Sequence, residues 1–217
     1  MPFSAQQAAE ALGVSRMQIS RLVRQGDLRA SRLGNALLID PDSVNEYRDL
    51  RPDRGRPLSP RSVWARIARE SARLESDGSE GDASEAARHL AVVGRRRADR
   101  LAYRALPNRV PAVLADQRVV LSGADAGQHH GAPVRPGEPH PVYVSGDDLD
   151  QLVADYRLRD SSGEPNLIMR VVDSDAWILR HRIAPPLVAA IDALEDGDAR
   201  SAAEILRHLV DSRTVRL

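Results

Sequence analysis

A chain of 217 residues can bury the core of one large domain or of two small ones. Its 31 basic residues are all arginine, balanced by 31 acidic ones, and it holds no cysteine, which excludes a disulfide framework and a thiolate metal site. No stretch reaches the roughly 18 consecutive apolar residues of a membrane-spanning helix, so no membrane association is expected.

In chain order, the N-terminus MPFSAQQAAEALG lacks the basic-then-apolar pattern of a signal peptide, and the cytoplasm is the expected setting. Ser4 stands where an N-cap accepts a bond from a free amide of a first helical turn. Ala5, Ala8, Ala9 and Leu12 follow at helical spacing, and Gly13 ends the helix in a conformation open to glycine. Ser15 caps a second helix running to about Gln25. Two short helices joined by a tight turn read as a helix-turn-helix. On a wheel of the second helix, Ile19, Leu22 and Val23 fall on one side, toward the first helix. Met17, Gln18, Ser20, Arg21 and Arg24 fall toward the other. Such a polar face suits base edges in the major groove, with Ser15 and Arg16 at the turn nearest the DNA; it also suits plain solvent exposure.

Leu28–Arg32 and Ala36–Ile39 are strand-like runs flanking a turn at Leu33, Gly34 and Asn35. The hairpin carries Arg29 and Arg32 on one arm and Asn35 at its tip, like a wing laid along phosphates. Pro41, Asp42 and Ser43 then open a helix whose Val44 and Tyr47 close the core. The run SAQQAAEALGVSRMQISRLVRQGDLRASRLGNALLIDPDSVNEYRDL resembles the excisionase and MerR-type helix-turn-helix family. The resemblance implies that the second helix enters the major groove of double-stranded operator DNA and that the hairpin is the wing. Arg54-Gly55-Arg56-Pro57 resembles the core of an AT-hook, whose arginines lie in a narrow minor groove; a basic linker is the other reading.

A helix is expected from Ser59-Pro60 through SPRSVWARIARESARLE, then an exposed nine-residue loop, SDGSEGDAS. SEAARHLAVVGRRRADRLAYRALP reads as helical with a break at Gly94. Its Arg95, Arg96, Arg97, Arg100 and Arg104 form the densest basic cluster, either a solvated face or a second phosphate contact. The net charge of zero hides an asymmetry. Residues 1–109 hold 20 Arg against 14 Asp and Glu, giving +6, and 110–217 hold 11 against 17, giving −6. The first half favours a polyanion and the second repels one.

Beyond Pro107, NRVPAVLADQ reads as a helix, RVVLSG as a strand, and ADAGQHHG as a short helix. PVYVSG and NLIMRVV read as strands around the helix DDLDQLVADYRL, and APPLVAAIDALEDG with DARSAAEILRHLVDS as a closing helix pair. The expected fold class is therefore α+β. It comprises a winged helix-turn-helix (1–50), a basic linker (51–58), a helical region (59–106) and a C-terminal α/β domain with a small sheet (107–217). No catalytic residue, metal or cofactor is expected. His129 and His130 are adjacent rather than four apart, SGADAG and VSGDD lack phosphate-loop spacings, and LSGADAG lacks a nucleophile elbow. Asp147, Asp148 and Asp150 cluster at a strand end; they fit a metal site or the favourable first turn of a helix.

Ser122-Gly123, Ala126, His130-Gly131 and the run from Asp192 to Arg200 resemble the C-terminal region of AbiE-type (type IV) antitoxins. That resemblance implies a transcriptional autorepressor and antitoxin opposing a nucleotidyltransferase-type toxin encoded beside it, with a homodimer or paired sites on the operator. The alternative is an excisionase- or MerR-like regulator whose C-terminal domain senses a ligand or makes an oligomer. A third reading is an excisionase-like architectural protein.

Overall fold

The computed structural model describes residues 2–24, 28–33, 36–49, 58–161 and 164–214. The architecture is α+β with two sheets, and the chain divides into two compact units. One comprises Met1–Leu58 with Val92–Arg96, the other Ser59–Ala91 with Arg97–Leu217.

In the first unit, β1 (Phe3–Ser4) leads into α1 (Ala5–Leu12), followed by α2 (Arg16–Arg24), β2 (Ala30–Leu33), β3 (Ala36–Ile39) and α3 (Pro41–Asp49). Ser4 and Gln7 form a reciprocal capping box: Gln7 N–H donates to Ser4 Oγ at 3.2 Å, and Ser4 N–H to Gln7 Oε1 at 2.8 Å. Gly13 closes α1 at φ +64°, and Val14 N–H reaches back to the Ala9 carbonyl at 3.0 Å. Both hairpin strands pair antiparallel, and β1 adds a third strand in the order β1-β3-β2. Ala8, Ala9, Leu12, Ile19, Leu22, Leu28, Ile39 and Val44 make the buried core, with Tyr47 packed against it. Alanines on the inner face of α1 let neighbouring helices approach closely.

The second unit begins with α4 (Pro60–Asp77), where Ser59 Oγ accepts from Ser62 N–H at 3.2 Å, and α5 begins at Glu80 and runs to Val93. The nine-residue loop expected between them is a correction: only Gly78 and Ser79 separate the helices. Ser79 Oγ caps α5 through Asp82 N–H at 3.2 Å, and Asp82 Oδ2 accepts in return from Ser79. Ser79 and Asp82, two of the residues that suggest a loop, are cap residues.

A second correction concerns residues 97–104. The helix does not continue through them: Arg95–Arg97 is a single 3-10 turn and Asp99–Arg104 is a strand, β4. There follow α6 (Val110–Ala115), β5 (Val119–Leu121), α7 (Gly123–His129), β6 (His140–Ser145), α8 (Gly146–Tyr156), β7 (Arg159–Asp160), β8 (Leu167–Val172), α9 (Pro186–Glu195) and α10 (Ala199–Thr214). The five-stranded sheet runs β5-β6-β8-β4-β7, with β6 and β8 parallel and the other pairs antiparallel. Helix α8 makes the crossover that a parallel pair requires. One face carries Val142, Val144, Leu167 and Met169 into a core with Val113 and Leu152.

The other face carries Tyr143 and Arg170, which are partners in the β6–β8 register, and here the core is ionic. Asp192 of α9 is fully buried. It forms ion pairs with Arg97 and with Arg170 Nε, the latter at 3.1 Å, and accepts from Ser122 Oγ and from the Tyr143 hydroxyl at 2.9 Å. Arg97 also grips Glu195 with two nitrogens at 2.5 and 2.9 Å, and Arg170 reaches Asp196 at 3.1 Å. Burial holds the Tyr143 hydroxyl protonated, well above the usual phenol range. The arginine cluster is thereby divided: Arg97 is a core cation, Arg100 pairs with Asp196 at 3.3 Å, and Arg104 bonds the Glu164 carbonyl at 2.6 Å. These three do not form a shared phosphate-binding face.

Asp147 and Asp148 lie in the first turn of α8, capped by Ser145 Oγ, and among the described residues no group of three His, Asp or Glu could hold a metal. Among the same residues, no helix is long and apolar enough to cross a membrane.

Candidate DNA interface

Helix α2 starts where Ser15 Oγ accepts from Gln18 N–H at 3.2 Å. At 100° per residue, Ile19, Leu22 and Val23 centre on one side, and Ile19 and Leu22 are buried in the core. Met17, Ser20, Arg21 and Arg24 stand at i, i+3, i+4 and i+7, diametrically opposite, and all four are exposed. Arg16 is exposed on one flank and Gln18 half-buried on the other. The stripe therefore presents three cation-or-hydroxyl side chains and one apolar one. The Ser20 hydroxyl donates back to the Arg16 carbonyl at 3.2 Å, which leaves its oxygen only as an acceptor for a ligand.

The base of the wing is braced by Asp40, a residue to which the sequence pattern assigns no role. Its Oδ2 pairs with Arg29 Nε at 2.7 Å, while its Oδ1 accepts from Asp42 N–H at 3.0 Å as the cap of α3. Asp40 N–H returns to the Arg29 carbonyl at 3.0 Å. Arg29 N–H donates to the buried Ser43 Oγ, whose own hydroxyl donates to the Asp40 carbonyl. One carboxylate thus ties the first strand of the wing to the helix behind it. Arg29, half-buried, is part of that brace, and Arg32 pairs with Leu37 in the β2–β3 register. Asn35, Arg54 and Arg56 lie outside the described residues.

The arrangement is a core-anchored helix with a cationic outer stripe beside an antiparallel hairpin. Arginine forks on such a stripe can meet phosphates or the O6 and N7 acceptors of guanine. A family profile described as a helix-turn-helix domain matches residues 3–49. Uncharacterized proteins of Mycobacterium tuberculosis and Mycobacterium bovis are 44% identical to this chain over 54 residues, which is 25% of this chain and 47% of each relative. The chain therefore spans about half the length of the curated relatives it matches. No solved structure matches it. Residues 3–49 form a helix-turn-helix domain, the fold of a DNA-binding regulator.

Proposed function

We propose that this chain is a transcriptional regulator of the cytoplasm that binds a specific duplex site and represses transcription there, its own promoter included. The observation that carries this reading is the stripe of Met17, Ser20, Arg21 and Arg24 on the solvent side of α2, opposite Ile19 and Leu22. A helix held only by its inner face leaves that stripe free to enter a major groove about 12 Å wide. The −6 charge of residues 110–217 discourages that part of the chain from lying on DNA. A gel shift with the duplex upstream of its own reading frame tests the reading: a salt-sensitive, competitor-resistant complex is expected, and no complex at low salt refutes it.

Two readings of the second unit each have an observation behind them. In the first, it is the effector part of an antitoxin, without catalysis of its own, opposing a nucleotidyltransferase-type toxin; the resemblance at Ser122-Gly123, Ala126, His130-Gly131 and Asp192–Arg200 supports this. Expression of the neighbouring reading frame with and without this chain tests it, and a neighbour that is harmless alone ends it. In the second, the unit senses a small ligand. A cavity of about 270 Å³ opens between Trp64 and Trp177, rimmed by Arg61, Arg180, Asp173 and Asp175, and supports this. The two indoles, 6.3 Å apart, are the only tryptophans of the chain, so intrinsic fluorescence reports occupancy; a quench that alters DNA affinity would favour the sensor. Self-association through either unit would place two reading helices on paired half-sites.

A further inference from the structure

Met17 has no structural employment. It is 83% exposed, the most exposed large apolar side chain among the described residues, and it occupies the second position of α2, in the turn that approaches bases in a docked helix-turn-helix. Its neighbours on the stripe are Ser20, Arg21 and Arg24, three and four residues and two turns away. An isolated apolar side chain on a protein surface is ordinary. Here it stands at the centre of a face whose other members are polar, 180° from the core side of the helix. Of the groups that a base edge offers in the major groove, only the C5-methyl of thymine is apolar. The thioether chain is flexible and polarizable and can shape itself to such a group.

We propose that Met17 reads a thymine by packing on its C5-methyl group, making it a specificity-determining residue of this helix. The inference rests on the reading of α2 as the helix that enters the major groove. The division of labour follows from the chemistry of the stripe: Arg21 and Arg24 donate, Ser20 accepts, and Met17 supplies the apolar contact that neither can make. At 83% exposure its truncation uncovers little buried surface, so the fold is expected to hold.

Bound duplexes are first selected from a random pool with the full chain, and the affinity of the best duplex is then measured with each thymine replaced in turn by deoxyuridine. Deoxyuridine keeps every hydrogen-bonding group and lacks only the methyl. One position is expected to lose about four-fold in affinity, the effect of one buried methyl group. The Met17→Ala chain should bind the thymine duplex about four-fold or more weakly and should no longer distinguish thymine from deoxyuridine there. Met17→Leu should keep the distinction. If no deoxyuridine weakens binding, or if Met17→Ala retains the full discrimination, the proposal is overturned while the DNA-binding reading stands. If the selection enriches no sequence, the reading of α2 itself fails and takes the proposal with it.

Discussion

The hydroxyl of Ser122, at the mouth of α7, donates to the carboxylate of Asp192 in α9, 70 residues along the chain. These two residues begin the two segments on which the proposed antitoxin reading rests, and the structure joins them in one buried network. Other matched positions are structural too. Gly123 holds φ +55°, and a Cβ there would stand 2.5 Å from Pro141 Cγ; Ala126 is fully buried. These residues hold α7, α9 and the sheet together. Loss of Asp192 therefore has a definite consequence. Asp192→Ala takes from the buried Arg97 and Arg170 the carboxylate that they share, and should destabilise by about 3 kcal/mol. Ser122→Ala, which removes one bond to a charged acceptor with other donors, should cost about 1.5 kcal/mol. Urea unfolding followed by far-ultraviolet circular dichroism measures both, and equal effects of the two would contradict this ranking.

Three histidines of the second unit, His89, His140 and His181, pull stability in opposite directions with pH. His140 Nδ1–H donates to Asp125 Oδ2 at 2.9 Å, and that hydrogen bond, against some burial, raises its pKa above the ordinary 6.5. The folded state then holds its proton longer than the unfolded state does. Its contribution is complete below pH 6.5 and is lost as pH rises through the folded value. Burial lowers His89 and His181 below 6.5, so the unfolded chain takes up their protons first and they cost stability as pH falls below 6.5. Proton NMR titration should find His140 the last of the three to deprotonate on raising pH. The stability gap between the parent and His140→Gln should shrink from pH 6 to pH 8.

Gly13→Ala should destabilise the first unit by about 1 kcal/mol. At φ +64° a Cβ meets no atom within 4 Å, so the cost is the left-handed backbone alone. A thermal melt detects it, and a neutral result would mean that the turn relaxes.

Much of the first unit was legible in the sequence because its signals are local. Ser4, Gly13 and Ser15 punctuate two helices within a dozen residues, and Ile19 and Leu22 repeat at helical spacing. The brace at Asp40 was not legible, because pairing with Arg29 depends on the hairpin closing. Residues 99–104 were misread for the same kind of reason. Leu101 and Tyr103 on β4 meet Met169 and Leu167 on β8, partners more than 60 residues away that no local pattern announces. Arg97 fell into an arginine-rich run that looks solvent-bound, and only the approach of α9 makes it a core residue. The alternation of strands and helices after Pro107, by contrast, was carried by continuous apolar runs such as NLIMRVV, which reach strand length and stop.

Asp40→Ala should weaken the wing without touching α2. It removes the cap of α3 and the partner of Arg29 together, at a cost of about 1–2 kcal/mol. DNA affinity should fall less than with Arg21→Ala, which removes a donor from the reading stripe and should also relax sequence preference. Fluorescence anisotropy on matched and scrambled duplexes separates the two; if Arg21→Ala leaves both affinities unchanged, the reading helix is misplaced.

The most direct test of the central claim is a salt titration of the full chain against its selected duplex and a scrambled one of equal length. Affinity for the selected duplex should exceed that for the scrambled one by roughly a thousand-fold or more, and both should weaken steeply as salt rises. Equal affinity for the two duplexes, or no binding to either at low salt, would contradict the assignment of α2 as a sequence-reading helix.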